Sequence, residues 1–248
     1  MSSKKPSYPA EFIRGMLKTV NKMGITTLEL APPTQDFVEF SSHCKKPVLD
    51  IGCGFGVSSL AALNMGASVI AFDLAQEHLR VLKDNTPPEL TDHLITKVGR
   101  FPDDLDFEAN SLSAVHASMI LHFLTGEEII AGLQQCYDYL EPGGKLFLGN
   151  MSPYLGIYDT KKLCAQYDSR ITQNKKWPGY IAHIPFVKEE WRNQLPPFAH
   201  FFKVDTAVKF VTEAGFEVEN AYYYTLNSIP REYITNGKEY VGLRALKR

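Results

Sequence analysis

Short apolar runs alternate with amphipathic ones along most of the chain. Val48 to Ile51 is an apolar run closed by glycine, as in a strand buried on both faces. "GVSSLAALNMG" follows as a helix that stops at Gly66, and "SVIAFD" as the next strand. "AQEHLRVLKDN" reads as a helix ended by Pro87 and Pro88, because proline cannot continue one. "HLITKV" and "SAVHAS" are further strands with an acidic loop between them. Thr125 and Glu128 form a capping box ahead of Ile129, Ile130, Leu133 and Tyr137, which starts another helix. Pro142, Gly143 and Gly144 then turn the chain into the strand "KLFLGN". Five such cycles predict a parallel sheet with helices on both faces.

The second half is less regular. Ser152 to about His200 has no clean period but many aromatics, and is predicted to be an insertion at about 152–202 on the ligand-binding rim. Alternation resumes with the helix "DTAVKFVTEA", capped by Asp205 and stopped by Gly215. The strands "FEVENAYYYTL" and "KEYVGLRALK" end the chain, with Asn236-Gly237 as the turn before the last. At the other end, "PAEFIRGMLKTVNKMG" is predicted to be a helix within an N-terminal helical cap, residues 1–44.

Composition adds limits. The 248 residues suffice for one full core, and 44% hydrophobic with 22% charged residues is ordinary for a globular domain. A net charge of −2, with Lys and Arg dispersed, argues against a nucleic-acid-binding face. Lysine pairs such as Lys161-Lys162 are simplest as solvated faces. Cys44, Cys53, Cys136 and Cys164 lie far apart without a C-x-x-C pair, which disfavours a metal site and suits a reducing compartment. No apolar run is long enough for a membrane span, so the expectation is a soluble, cytoplasmic chain. Its oligomeric state is not legible.

The chemistry concentrates in "VLDIGCGFGVSSLAALNMGASVIAFD", residues 48–73. Glycines between a strand and a helix let a ligand approach unpaired backbone N–H groups. A dinucleotide fingerprint needs G-x-G-x-x-G, but here Gly52, Gly54 and Gly56 are followed by Val57. Asp50, two residues before Gly52, would repel a pyrophosphate and suits a ligand carrying an ammonium group. Asp73, ending the second strand, is placed to accept hydrogen bonds from two ribose hydroxyls. Cys53 between the glycines is a small space-filler rather than a nucleophile.

"VLDIGCGFG" followed by "VIAFD" resembles motif I and the acidic loop of class I S-adenosylmethionine-dependent methyltransferases. The resemblance extends through "ANSLSAVHASMILHFL", "YLEPGGKLFLGN" and "VKFVTEAGFEVENAYY", over about residues 45–150 and 203–247. It implies an α/β, Rossmann-like fold: a seven-stranded, mostly parallel sheet with its last strand antiparallel, helices on both faces and an inserted lid. It also implies S-adenosyl-L-methionine as cofactor and residues 45–248 as the methyltransferase domain. Gly52, Cys53, Gly54 and Gly56 would then surround the methionine moiety, with Asp50 under its amino group and Asp73 on the ribose. Leu74, Arg100, Phe101, Ser118 and Met119 would complete the cofactor site. The family usually has an acid for the adenine amino group after the third strand. Here "VGRFPDDLDF" puts Arg100 or Phe101 there, which leaves the Phe101 N–H or a swung-in Asp103 to reach adenine.

His116, on a strand, is read as a packed core histidine. His122, in the turn after the fourth strand, is the candidate catalytic base. Tyr154, Trp177, Tyr180 and Trp191 are the expected lid over the substrate, since a sulfonium shielded from water needs aromatic surface. "NMSPY" at 150–154 is set aside as a chance likeness to amino-methylating enzymes. The expected activity is methyl transfer to a small molecule, with no metal. A macromolecule-modifying enzyme and a non-catalytic cofactor-binding module are the alternatives.

Overall fold

The computed structural model describes residues 7–8, 12–13, 16–21, 25–192 and 195–248. Seven strands form the main sheet: β1 (Val48–Ile51), β2 (Val69–Asp73), β3 (Leu94–Val98), β4 (Leu112–Ser118), β5 (Leu140–Met151), β6 (Glu217–Tyr224) and β7 (Tyr240–Leu246). Their order is β6-β7-β5-β4-β1-β2-β3. All neighbouring pairs are parallel except those of β7, which runs antiparallel to both β6 and β5. The predicted sheet is thus the observed one. The order reverses between β1 and β4, and the crevice beyond the carboxyl ends of those strands is where such sheets bind ligands.

Side chains alternate across the sheet, and each face is covered. Leu49, Ile51, Ile70 and Phe72 pack under α4 (Gly126–Tyr139) and α6 (Val204–Glu213), through Ile129, Leu133 and Phe210. Val48, Val69 and Ala71 face α1 (Pro32–Ser41), α2 (Val57–Asn64) and α3 (Gln76–Asn85), through Phe37, Leu63, Leu79 and Leu82. The capping box of α4 forms as its sequence dictates: Thr125 accepts from the Glu128 N–H, and the Glu128 carboxylate from the Thr125 N–H. In α6 the cap differs. Lys203 is the N-cap without a side-chain bond, and Asp205 sits in the first turn, where it favours the helix dipole.

The described residues within 9–24, where a helix was predicted, form no helix; residues 9–11, 14–15 and 22–24 lie outside the described residues. Among the described residues there, Phe12–Ile13 pairs with Met16–Lys18, which pairs with Ile25–Thr26, all antiparallel. Gly15 and Gly24 penalise a helix in this stretch, and Thr19, Val20, Ile25 and Thr26 are β-branched. The helix of this region is α1, opened by Pro32 and Pro33 at its first positions, where their missing N–H groups cost nothing.

The insertion is more ordered than its sequence suggests. It contains α5 (Thr160–Thr172), whose Lys162 N–H is capped by Asp159 at 3.1 Å, and an antiparallel pair, Tyr180–Ile181 with Ala199–His200. Tyr158, Tyr167, Trp191, Phe201, Tyr224 and Tyr233 build a second apolar cluster that joins the insertion to the ends of β5, β6 and β7.

Candidate functional site

The glycine loop is fixed from beneath. The Gly52 and Cys53 N–H groups both donate to the Phe72 carbonyl of β2, at 2.8 and 3.2 Å. Gly54 has φ +54°, and a Cβ there would meet nothing within 4 Å. At Gly56, φ is +77° and a Cβ would fall 2.4 Å from Leu82 of α3, so this glycine permits the loop to lie on that helix. Only glycine holds both conformations without strain.

Asp50 is 1% exposed and fully engaged. One oxygen accepts from the Ser58 and Ser59 hydroxyls at 2.5 and 2.6 Å, both in the first turn of α2. The other bonds His116 Nδ1 at 2.8 Å, its register partner on β4. His116 Nε2 meets the Thr34 hydroxyl at 3.0 Å, and the ring stacks on Phe37 of α1. His116 is therefore a packed histidine that orients Asp50.

Asp73 is 6% exposed. Its Oδ2 accepts the Gly54 N–H at 2.8 Å, and its Oδ1 the Ala75 N–H at 2.8 Å and His78 Nδ1 at 3.0 Å. Glycine loop and acidic strand end are thus tied directly together.

These groups border one cavity of about 420 Å³. Asp50, Gly52, Cys53, Gly54, Asp73, Leu74, Arg100, Phe101, Ser118, Met119 and His122 all line it. Gly56 does not; it acts through Leu82. Leu74 is 52% exposed and offers an apolar face at the rim. The Arg100 guanidinium is paired with Glu128 and Asp103, and Asp103 does not line the cavity. Met119 has φ +56°, with its N–H donating to the Gly149 carbonyl at 2.7 Å. A strained backbone at a cavity wall is a recurrent feature of binding sites.

The far half of the cavity is apolar and aromatic, with Met151, Tyr158, Tyr224, Leu226 and Tyr240 in its wall. Burial raises the phenols of Tyr158, Tyr224 and Tyr240 well above their ordinary range, so all three stay protonated. His183 lies here too, its Nε2 donating to the Pro196 carbonyl at 2.6 Å and its Nδ1 meeting the Tyr158 hydroxyl at 3.0 Å. The predicted lid side chains do not line the cavity. Trp191 is 1% exposed, packed on Tyr233. Trp177 lies over Gly126 and donates to Glu127 at 2.6 Å. Tyr180 rests on Phe198, and Tyr154 on Tyr223. The insertion borders the cavity instead with Leu155, Ile157, Tyr158, His183 and Pro196. Aromatic content locates an apolar surface but not the direction it faces.

Burial, with a smaller contribution from His183, pushes His122 down to about 3, and its Nδ1 is buried without a hydrogen-bond partner. Its ring stays neutral at physiological pH, so it is suited to hydrogen bonding rather than to holding a proton. For Cys53, burial first and then Asp50 and Asp73 hold the thiol well above its usual range, as an inert filler requires. Among the described residues no group of His, Cys, Asp or Glu is arranged to hold a metal, and no helix is long and apolar enough to cross a membrane.

The depressed histidines give a pH prediction. His122 and His200, pushed by burial to about 3 and about 4, are neutral when folded but titrate near 6.5 when unfolded. Their stabilising contribution is complete above the unfolded value and is lost as pH falls toward the folded ones. Each histidine should steepen the loss of unfolding free energy by up to about 1.4 kcal/mol per pH unit in that window. Melting temperatures between pH 7.5 and 4.5 check this; a flat profile would contradict neutral burial.

Sequence reasoning missed Ser58, Ser59, Thr34, Phe55 and His78. The two serines directly after the loop, in "GVSS", were the available signal for the Asp50 network. His78, five residues after Asp73, was legible only as part of a helix.

A family model described as a methyltransferase domain matches residues 48–144. The mitochondrial ubiquinone biosynthesis O-methyltransferase of Mus musculus is 31% identical over 115 residues, covering 44% of this chain and 30% of that protein. Its counterpart from Xanthomonas axonopodis pv. citri is 32% identical over 127 residues, covering 50% of this chain and 51% of that protein. The chain therefore matches between 30% and 51% of the length of these relatives. Among solved structures, a SAM-dependent methyltransferase of Methanosarcina mazei superposes with a TM-score of 0.64 at 21% identity, covering 88% of this chain and 98% of that one. That likeness is one of fold.

Proposed function

The chain carries a class I S-adenosylmethionine-dependent methyltransferase domain, and from that premise we propose that it methylates a small, uncharged molecule held in the apolar half of the cavity. One observation carries the proposal: a single cavity joins the Gly52–Gly56 loop and Asp73 to an apolar, tyrosine-lined chamber. The residues fit S-adenosylmethionine. Asp73 lines the cavity, and its Oδ2, which accepts the Gly54 N–H, keeps one acceptor position that a ribose hydroxyl can take. The open space over Gly54 admits the methionine portion. Asp50, held by Ser58, Ser59 and His116, gives the negative field for its ammonium group. Leu74 and Phe101 offer apolar contact to adenine.

When bound, the cofactor supplies a methyl group already activated on a sulfonium, so the chain need only place the acceptor and exclude water. Each charged side chain described in the cavity wall, Glu29, Asp50, Asp73 and Arg100, already has protein partners. A charged acceptor would therefore be buried without a counter-ion, at a cost of several kcal/mol. Similarity to two O-methyltransferases supports a hydroxyl oxygen as the accepting atom. His122, a neutral hydrogen-bonding partner, orients that hydroxyl, takes up the proton that the methylated oxygen sheds and passes it to solvent as product leaves.

Asp73→Ala is expected to weaken S-adenosylhomocysteine binding by about 1–3 kcal/mol, the range for losing charge-assisted hydrogen bonds. Calorimetry on the folded variant checks this, and unchanged affinity would remove the ribose assignment.

A further inference from the structure

Residues 16–21 form a strap across the glycine loop, and Met16, Thr19 and Asn21 of it line the cavity. Leu17, fully buried, packs in one small cluster with Phe55, the residue between Gly54 and Gly56, and with Val81 of α3. Next to this cluster lies His78, 2% exposed, with Phe55 edge-on to its ring at 5.0 Å. The Val20 N–H donates to His78 Nε2 at 3.2 Å. A backbone N–H can only donate, so Nε2 carries the lone pair and the ring proton is on Nδ1, which donates to Asp73 Oδ1 at 3.0 Å. The other oxygen of that carboxylate takes the Gly54 N–H. One chain of hydrogen bonds thus runs from the strap through His78 and Asp73 to the glycine loop.

We propose that His78 is a positioning residue coupling the 16–21 strap to the Asp73 carboxylate, so that ribose binding and strap closure reinforce each other. The proposal rests on the cofactor assignment above. A carboxylate is one rigid plane, so a ligand on Oδ2 and His78 on Oδ1 favour the same orientation of it. The two bonds of the His78 ring, one accepted from Val20 and one donated to Asp73, lie in series and strengthen each other, so strap and carboxylate hold the ring jointly. By linkage, whatever factor the cofactor gives to strap closure, strap closure returns to cofactor affinity.

The test is hydrogen–deuterium exchange across residues 16–21, with and without S-adenosylhomocysteine, in the wild type, His78→Asn and Val20→Pro. Asparagine retains a donor near Asp73 but does not reach Val20. Proline removes the Val20 N–H and leaves His78 and Asp73 intact. The wild-type strap should exchange more slowly with ligand, by at least about fivefold, the lower end of couplings between sites. In both variants that protection should vanish, and ligand affinity should fall by the same factor, read by calorimetry. A histidine that only fills space would leave the ligand's effect on the strap unchanged in Val20→Pro, and that result overturns the coupling. Unchanged wild-type exchange on ligand binding overturns it too. Failure of the wild type to bind the ligand at all would overturn the cofactor assignment, and the coupling with it.

Discussion

Replacing Gly54 with valine is expected to reduce S-adenosylhomocysteine affinity by at least about 100-fold, roughly 2.7 kcal/mol, while the protein still folds. Two effects act together. The backbone holds φ +54°, which a β-branched residue adopts only at a cost of about 1–3 kcal/mol. The new side chain meets no protein atom near its Cβ and projects into space at the cavity wall, where the methionine portion is assigned. Gly54→Ala should weaken binding less, because it keeps most of the strain and little of the bulk. Gly56→Val should behave differently, since its Cβ would collide with Leu82 and destabilise the fold itself. Calorimetry paired with thermal melting separates the cases. Tight binding by the Gly54→Val protein would place the ligand elsewhere.

Trp191→Ala is expected to lower unfolding free energy by about 3–5 kcal/mol, the range for truncating a large buried aromatic. Trp191 is 1% exposed and packs on Tyr233 within the cluster that attaches the insertion to β5, β6 and β7. Its removal opens a cavity between the insertion and the sheet. Denaturant titration measures the loss. A folded, fully stable variant with depressed turnover would instead restore Trp191 to the role of lid.

That contrast shows what the sequence can carry. The glycine loop, Asp50 and Asp73 were legible because strand, turn and helix follow one another within 26 residues and their spacing has chemical meaning. The parallel sheet with helices on both faces was legible for the same local reason, repeated five times. The Asp50–His116–Thr34 network was not, since its partners lie 66 and 82 residues apart. His116 gave no sign that it faces Asp50; only the β1–β4 register brings them side by side. The N-terminal strands were expected as a helix, although two glycines and several β-branched residues in this stretch disfavour one. The four aromatics of the expected lid were correctly placed in the insertion but not in their direction. Side chains that do reach the cavity from it, such as Leu155, Ile157 and Pro196, carry no distinguishing pattern.

A crystal structure of the chain with S-adenosylhomocysteine decides whether the glycine loop and Asp73 hold the cofactor. A ribose hydroxyl is expected on the open position of the Asp73 carboxylate, the amino-acid portion over Gly52 to Gly54 with its ammonium toward Asp50, and the sulfur facing the chamber of His122, Tyr158 and Tyr224. Ligand bound away from Asp73, or a cavity that excludes it while the protein remains folded, would overturn the cofactor assignment.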